Sequence, residues 1–497
     1  MNIALFLQMA AEACPDRSAL THDGKHYTYL ELFESANKVA ERFSHSGCRF
    51  VSVLDVSSPA VPIALMGAAM AGIPYVPLNY RLSTEQLSEL LARIEPAFLI
   101  VDDSRTNDFD EVEATVLGRQ ALLDDLLSSP EVSVAWKEDP SAVAIQLFTS
   151  GTTGTPKAAI LRHEHLVSYI LGSVEFMGAS EEQSTLVSVP PYHIAGISAV
   201  MSSIYACRRI VQLPDFDPAE WLSLCANERV TNAFVVPTML KRIIEELDES
   251  SFDPATLMSL EALAYGGGKM PVPVIERALE LLPEINFTNA YGLTETSSTI
   301  TLLDPDDHRQ ALDHDDLVIR ARLGSVGKAL PSVEIQIRDD EGNELGPFEA
   351  GEIYVRGPQV SGEYLERNAL VDEGWFPTRD AGYLDDHDYL YLSGRADDVI
   401  VRGGENISPA EIEDLLHAHN AIDDAAAVGI ASEEWGEAVA LAVVLKNSAE
   451  LSEDEIVSLI RTSLRSSRVP EVIRFTSELP YSDTGKLLRR VVKTWFD

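Results

Sequence analysis

Residues 148–160, FTSGTTGTPKAAI, constrain this chain more than any other stretch. An apolar segment, 142–148, feeds five hydroxyls (Thr149, Ser150, Thr152, Thr153, Thr155), two glycines (Gly151, Gly154) and one lysine, Lys157. Glycines let a backbone turn tightly and bring its N–H groups against an anion. The hydroxyls add donors and Lys157 adds positive charge. A strand that delivers such a turn describes a phosphate cradle. It is not a Walker A loop, because Pro156 precedes the lysine and Ala158 follows it. Taken alone, the run also fits a plain surface loop.

At 497 residues the chain is long enough for more than one domain. Its 45% hydrophobic and 24% charged content is that of a globular protein. No segment approaches the ~18 uninterrupted apolar residues needed to span a bilayer. The N-terminal stretch has no Lys or Arg before Arg17, and acidic Glu12 and Asp16 follow its apolar patch. It reads as an amphipathic helix ended by Pro15, not a signal peptide. The expectation is a cytoplasmic protein without integral membrane association. Cys14, Cys48, Cys207 and Cys225 form no C-x-x-C pair and read as reduced and free of metal. His163/His165 and His417/His419 stand two apart, which does not share a helix face, so zinc is dismissed. A net charge of −41 argues against a nucleic-acid partner. To hold a polyanionic nucleotide, so acidic a chain must gather local positive charge and recruit a divalent cation.

Short apolar runs at 96–103, 142–148, 184–191, 209–213, 232–237 and 261–268 alternate with amphipathic patterns at 85–94, 164–177 and 238–247. That alternation predicts α/β layers with largely parallel sheets. Past about Gly324 the texture changes to paired strands, predicting a smaller β-rich subdomain. The last hundred residues, with a helix at 453–464, read as a compact α+β domain.

Other stretches carry chemistry-bearing residues. In 289–298, NAYGLTETSS, Tyr291 offers an aromatic face, Thr294 a hydroxyl and Glu295 a carboxylate. A carboxylate beside phosphate calls for a hard cation between them, so Glu295 points to Mg²⁺; a capped helix start is the plain alternative. Gly266, Gly267 and Gly268 follow a strand and allow a flat ligand close to the backbone. Asp380, between hairpin elements, can accept hydrogen bonds from a ribose diol, or simply cap a turn. Segment 394–413 holds Arg395 and the pair Gly403-Gly404 before a helix start at Ser408-Pro409. Lys486 follows a Thr-Gly turn near the C-terminus, where a solvent lysine is the usual finding.

In this order the segments resemble the adenylate-forming enzyme superfamily: acyl-CoA synthetases, peptide-synthetase adenylation domains and luciferases. The resemblance runs from 27–40 and 71–83 to the final lysine motif, essentially the whole chain. It implies a large N-terminal domain, about 1–396, of layered α/β sheets with the β-rich subdomain, and a small mobile α+β domain, 397–497. Asp397 would be the hinge. Thr149 to Lys157 would hold the phosphates of ATP. Gly266 to Gly268 with Asn289, Ala290 and Tyr291 would enclose adenine, Tyr291 stacking on it. Thr294 would touch the α-phosphate and Glu295 would hold Mg²⁺. Asp380 and Arg395 would bind ribose, and Lys486 would reach the acid and α-phosphate oxygens during adenylation. His193 would sit at the acyl pocket, and the Gly403-Gly404 strand would line a thiol tunnel in a second pose of the C-terminal domain. Two departures stand out: the family usually has glycine at the positions of Ala158 and Arg379.

The chemistry implied is attack of a carboxylate on the α-phosphorus of ATP, release of pyrophosphate, then transfer of the acyl group to a thiol. Fixed N–H groups, Lys157, Lys486 and Mg²⁺ suit the charge that builds on phosphoryl oxygens. The stretch after His193 has no acidic residue, which disfavours an amino acid. Ile194, Ala195, Ile197, Val200 and Met201 suggest an apolar acyl wall. A medium- or long-chain fatty acid is the first expectation and an aryl acid the second. CoA is the expected acceptor. A separate acyl-carrier protein, and a catalytically silent nucleotide binder, are the other readings the sequence leaves open, as it does the oligomeric state.

Overall fold

The computed structural model describes all residues except 110–111, 131, 137, 150–155, 251, 396–397, 404, 433, 448, 483–484 and 497, with the side chains of 313 and 406 also left aside. The architecture is mixed α/β. A nine-stranded sheet runs in the order Lys328–Ala329, Ser298–Leu303, Asn286–Leu293, Ala262–Gly266, Asn232–Val235, Ser184–Val187, Arg209–Gln212, Ser18–His22, Lys25–Thr28. From Asn286–Leu293 to Ser18–His22 every neighbouring pair is parallel. Four of these strands, Ser184–Val187, Arg209–Gln212, Asn232–Val235 and Ala262–Gly266, are apolar runs read from the sequence. Helices between them, such as Pro237–Glu249 and Val272–Leu281, bury one face each and leave charges outward.

A second layer combines the parallel strands Phe50–Leu54, Ala97–Val101 and Ala114–Gly118 with an antiparallel set built on Val143–Thr149 and Lys157–Arg162. Tyr75 joins the two by bridging Val51 on one side and Ile145 on the other. The cradle run therefore connects two antiparallel strands; the alternating pattern had suggested parallel ones. Between these layers Phe6, Tyr29, Phe43, Phe98 and Tyr75 form a fully buried core. Burying such rings removes apolar surface from water at about 25 cal/mol per Å².

The β-rich subdomain is a four-stranded antiparallel sheet of Glu334–Arg338, Gly351–Arg356, Phe376–Leu384 and Leu390–Arg395. The C-terminal lobe has its own sheet, centred on Ile422–Ser432 and Gly436–Leu445, and its own core. The helix predicted at 453–464 spans Glu453–Ser463 and is closed by a Ser452–Glu455 capping box. The 396/397 boundary and Asp397 lie outside the described residues. No helix among them is long and apolar enough to cross a membrane.

Candidate active site

The strands Ala262–Gly266 and Asn286–Leu293 run parallel, with Gly266 opposite Ala290. A Cβ at Gly266 would overlap the Ala290 carbonyl oxygen, so the two backbones approach as only glycine allows. Gly267 follows at φ +83° and turns the chain away. Asn289 is buried and donates Nδ2 to the Ser325 carbonyl at 3.0 Å. Tyr291, two residues on and on the same face, donates its hydroxyl to Asp380 Oδ2 at 2.7 Å.

Asp380 sits opposite Arg395 on the antiparallel strands Phe376–Leu384 and Leu390–Arg395, and their side chains pair at 3.0 Å. Arg395 also donates to the Thr378 carbonyl at 3.2 Å, while the Thr378 hydroxyl takes the Asp380 N–H at 3.1 Å. Burial pulls the Arg395 pKa down, but Asp380, Tyr291 and Glu295 outweigh it and leave it above the usual arginine value. Register slips on this strand where it faces Glu352 and Tyr354. There Arg379 takes φ +63°, a region that favours glycine, and its side chain turns to Glu352 at 3.7 Å. Its geometry explains the glycine that relatives usually carry there. Ala158 is fully buried in its strand.

Glu295 is buried in a short 3₁₀ turn, Thr294–Thr296. Its carbonyl accepts from the N–H groups of Ser361 and Gly362 at 2.9 and 3.2 Å, and its Oε1 accepts the Tyr364 hydroxyl at 2.6 Å. The Tyr364 ring lies 5.9 Å from the Lys157 ammonium. Lys157 pairs in register with Thr149 at the start of the cradle run. Ser150, Gly151, Thr152, Thr153, Gly154 and Thr155 lie outside the described residues. Among the described residues no three His, Cys, Asp or Glu could hold a metal. A cation at Glu295 would therefore take one carboxylate oxygen and fill its shell with phosphate and water, the habit of Mg²⁺.

Lys486 comes from the C-terminal lobe. Its turn is closed by Ser482, whose N–H donates to the Lys486 carbonyl at 2.8 Å, and is set by Gly485 at φ +69°. The lysine is accessible to solvent, yet crowded. Crowding first, then the Arg395 charge, pushes its pKa below the ordinary lysine value against the pull of Asp380 and Glu295. Arg395 and Lys486 thus both feel Glu295 and Asp380, and Lys157 stands near the ring of the tyrosine that holds Glu295, a set of cations suited to polyphosphate.

Other predicted residues are more dispersed. His193 precedes the helix Ile194–Tyr205, its ring 4.4 Å from that of Tyr192. Thr294 opens the Glu295 turn. Gly403 packs on Trp435 within the C-terminal lobe, and Gly404 lies outside the described residues. The apolar acyl wall needs correcting. Ile197, Val200 and Met201 are buried in the main core, because at helical spacing they share the inner face of their helix. Ser198 instead meets Ser298 across the sheet, with their hydroxyl oxygens 3.2 Å apart. Sequence reasoning missed Tyr364 and Thr378, since neither stands out as a motif residue, and it gave no role to Ser298 although that serine closes the 289–298 motif.

The AMP-binding enzyme family matches residues 7–365, and the AMP-binding enzyme C-terminal domain matches residues 411–486. The chain belongs to the AMP-binding enzyme family. It is an AMP-forming acid–thiol ligase of the adenylate-forming superfamily. It is 32% identical to a 2-succinylbenzoate–CoA ligase of Bacillus cereus over 499 aligned positions, covering 98% of this chain and 97% of the relative. The o-succinylbenzoate CoA synthetase of Bacillus subtilis, solved with its acyl-adenylate intermediate, superposes with a TM-score of 0.85 at 30% identity, over 98% and 97% of the two chains. The same synthetase has been solved with ATP and magnesium ion, at a TM-score of 0.83, 29% identity and 98% coverage of both chains. These relatives take an aryl acid, so they back the second expectation for the substrate over the fatty acid.

Proposed function

We propose that this family member activates an aryl acid of the 2-succinylbenzoate type with ATP and Mg²⁺ and passes the acyl group to CoA. The full-length likeness to 2-succinylbenzoate–CoA ligases carries the reading. We place the acid beside the Ser198–Ser298 hydroxyl pair, because a polar spot would suit a substrate with keto or second carboxyl oxygens better than a bare hydrocarbon chain.

Asp380 and Arg395 hold the ribose, Tyr291 and the glycine-lined strand pair hold the base, and Lys157 with the cradle run holds the phosphates. Mg²⁺ on Glu295 supplies charge neutralisation of the phosphoryl oxygens. Lys486 steadies the acid and the α-phosphate while the carboxylate oxygen attacks phosphorus. Pyrophosphate leaves, and the thiolate of CoA later displaces AMP from the acyl carbon. A cavity of about 120 Å³ beside residues 236–239 is lined by Tyr80, Arg81, Phe216 and Arg242. Arg242 there could meet a phosphate of CoA, while Arg81 pairs with Asp215 at 3.7 Å. CoA is favoured over a carrier protein as acceptor because the relatives are CoA ligases.

Pyrophosphate release across a panel of 2-succinylbenzoate, benzoates and fatty acids, with and without CoA, tests the reading. CoA-dependent turnover of 2-succinylbenzoate with thioester product is expected. Turnover of fatty acids alone would overturn the assignment of the acid. Acyl-adenylate that accumulates without thioester would redirect the acceptor to a carrier protein.

A further inference from the structure

Two salt bridges join the lobes next to the cleft. Lys241 Nζ lies 2.7 Å from Asp423 Oδ1, and Lys269 Nζ lies 2.6 Å from Asp414 Oδ2. Lys269 directly follows the three glycines of the cleft. Lys241 is on the helix Pro237–Glu249, whose Thr238 packs against Gly485 of the Lys486 turn. Both aspartates belong to the lobe that carries Lys486. Asp424, beside Asp423, accepts the Tyr481 hydroxyl at 2.7 Å, and Tyr481 bridges Leu487 across that same turn. The Lys241 pair and the anchor of the Lys486 turn therefore stand on consecutive residues.

The charge context makes these pairs consequential. The chain has 79 acidic against 38 basic side chains, and only ten of the latter are lysines. Acidic surfaces brought together repel, and a seam between them needs cations. Two of the ten lysines stand at this one seam. Both pairs are partly exposed, with the lysines at 34% and 38%, so each is weak alone and screened by salt.

We propose that Lys241 and Lys269 are positioning residues that seat the C-terminal lobe in the pose that sets the Lys486 turn against Thr238 and Gly268 at the cleft. They would thereby favour the adenylation half of the reaction over the thioester half, in a manner that salt weakens. The functional part of this rests on the role of Lys486 proposed above; the seating itself does not.

Hydrogen–deuterium exchange of the ligand-free full chain tests the seating without any acid. In low salt, residues 477–490 should exchange roughly tenfold faster in the double variant Lys241→Ala/Lys269→Ala than in the wild type, the size expected for losing two exposed pairs. The charge swap Lys241→Asp/Asp423→Lys should restore protection, and high salt should erase the difference. Equal exchange in wild type and double variant would overturn the proposal. With 2-succinylbenzoate as probe acid, the double variant should lose about tenfold in pyrophosphate exchange yet keep its rate of thioester formation from supplied 2-succinylbenzoyl-adenylate. Equal loss in both halves would mean a general structural defect and also sink it. If the wild type does not activate 2-succinylbenzoate, the assignment of the acid fails, and the exchange experiment still decides the seating.

Discussion

The Tyr364 hydroxyl donates to Glu295 Oε1 at 2.6 Å, across 69 residues of sequence. That bond fixes one carboxylate oxygen and leaves the other free to face a cation. Tyr364→Phe keeps the ring near Lys157 and deletes only the bond. A hydrogen bond to a charged group is worth about 1.5 kcal/mol or more, so pyrophosphate exchange should fall roughly tenfold. The Mg²⁺ concentration for half-maximal rate should rise as well. An unchanged Mg²⁺ dependence would separate Tyr364 from the cation.

Lys486→Ala should cripple adenylation and largely spare thioester formation from supplied acyl-adenylate. The depressed pKa gives a second readout. The charged ammonium is the active form, and it loses its proton at lower pH than an ordinary lysine. The alkaline limb of kcat/KM, which reports the free enzyme, should fall earlier than a solvent lysine would allow. Lys486→Arg should move that limb upward, because arginine stays protonated.

Asp380 and Arg395 should read the ribose. Wild-type enzyme should discriminate against 2′,3′-dideoxy-ATP, and Asp380→Asn should discriminate far less while raising the KM for ATP about tenfold. Unaltered discrimination in the variant would remove Asp380 from the ribose.

His163 is buried, and its Nδ1 accepts from the Ile3 N–H at 3.3 Å. Burial, aided by the N-terminal charge, lowers its pKa to about 4 from 6.5. Between those values the unfolded chain binds a proton that the folded chain refuses. Stability is therefore lost as pH falls from about 6.5 to about 4, by up to about 3 kcal/mol from this one group. Urea unfolding at pH 7.5 and pH 5 should show a smaller acid-induced loss in His163→Gln than in the wild type.

A net charge of −41 should make the fold depend on salt. Counterions screen self-repulsion within about 10 Å at 0.1 M and more closely as concentration rises. The melting temperature should climb from low salt into molar KCl, even though the Lys241 and Lys269 pairs weaken over the same range. A flat or falling melting temperature would show that repulsion is not a significant term.

Much of this was legible in the chain because local rules and tertiary packing agree. Apolar runs bounded by Gly, Pro and Asn became strands, parallel except for 142–148, and Gly266, Asp380, Arg395 and Lys486 stood in ordered motifs. What could not be read depends on which face of an element turns inward and what meets it from far away. Ile197, Val200 and Met201 have the side chains of an acyl wall, but only their packing into the main core shows that they are core. Tyr364 looks like any strand tyrosine until Glu295 and Lys157 arrive beside it. Arg379 looks like a bare departure from the family's glycine until its backbone angle and its pairing with Glu352 are seen.

Where Gly266 presses on the Ala290 carbonyl, the wall facing the proposed nucleotide is main chain. Main chain offers nothing to exchange, so that stretch of wall is reshaped only by moving the two strands themselves. Ser198 and Ser298, on a helix and a different strand, are ordinary side chains with replaceable hydroxyls. Exchanging those hydroxyls leaves the strand contact at Gly266 as the backbone sets it, so a change aimed at the proposed acid need not disturb this part of the nucleotide wall.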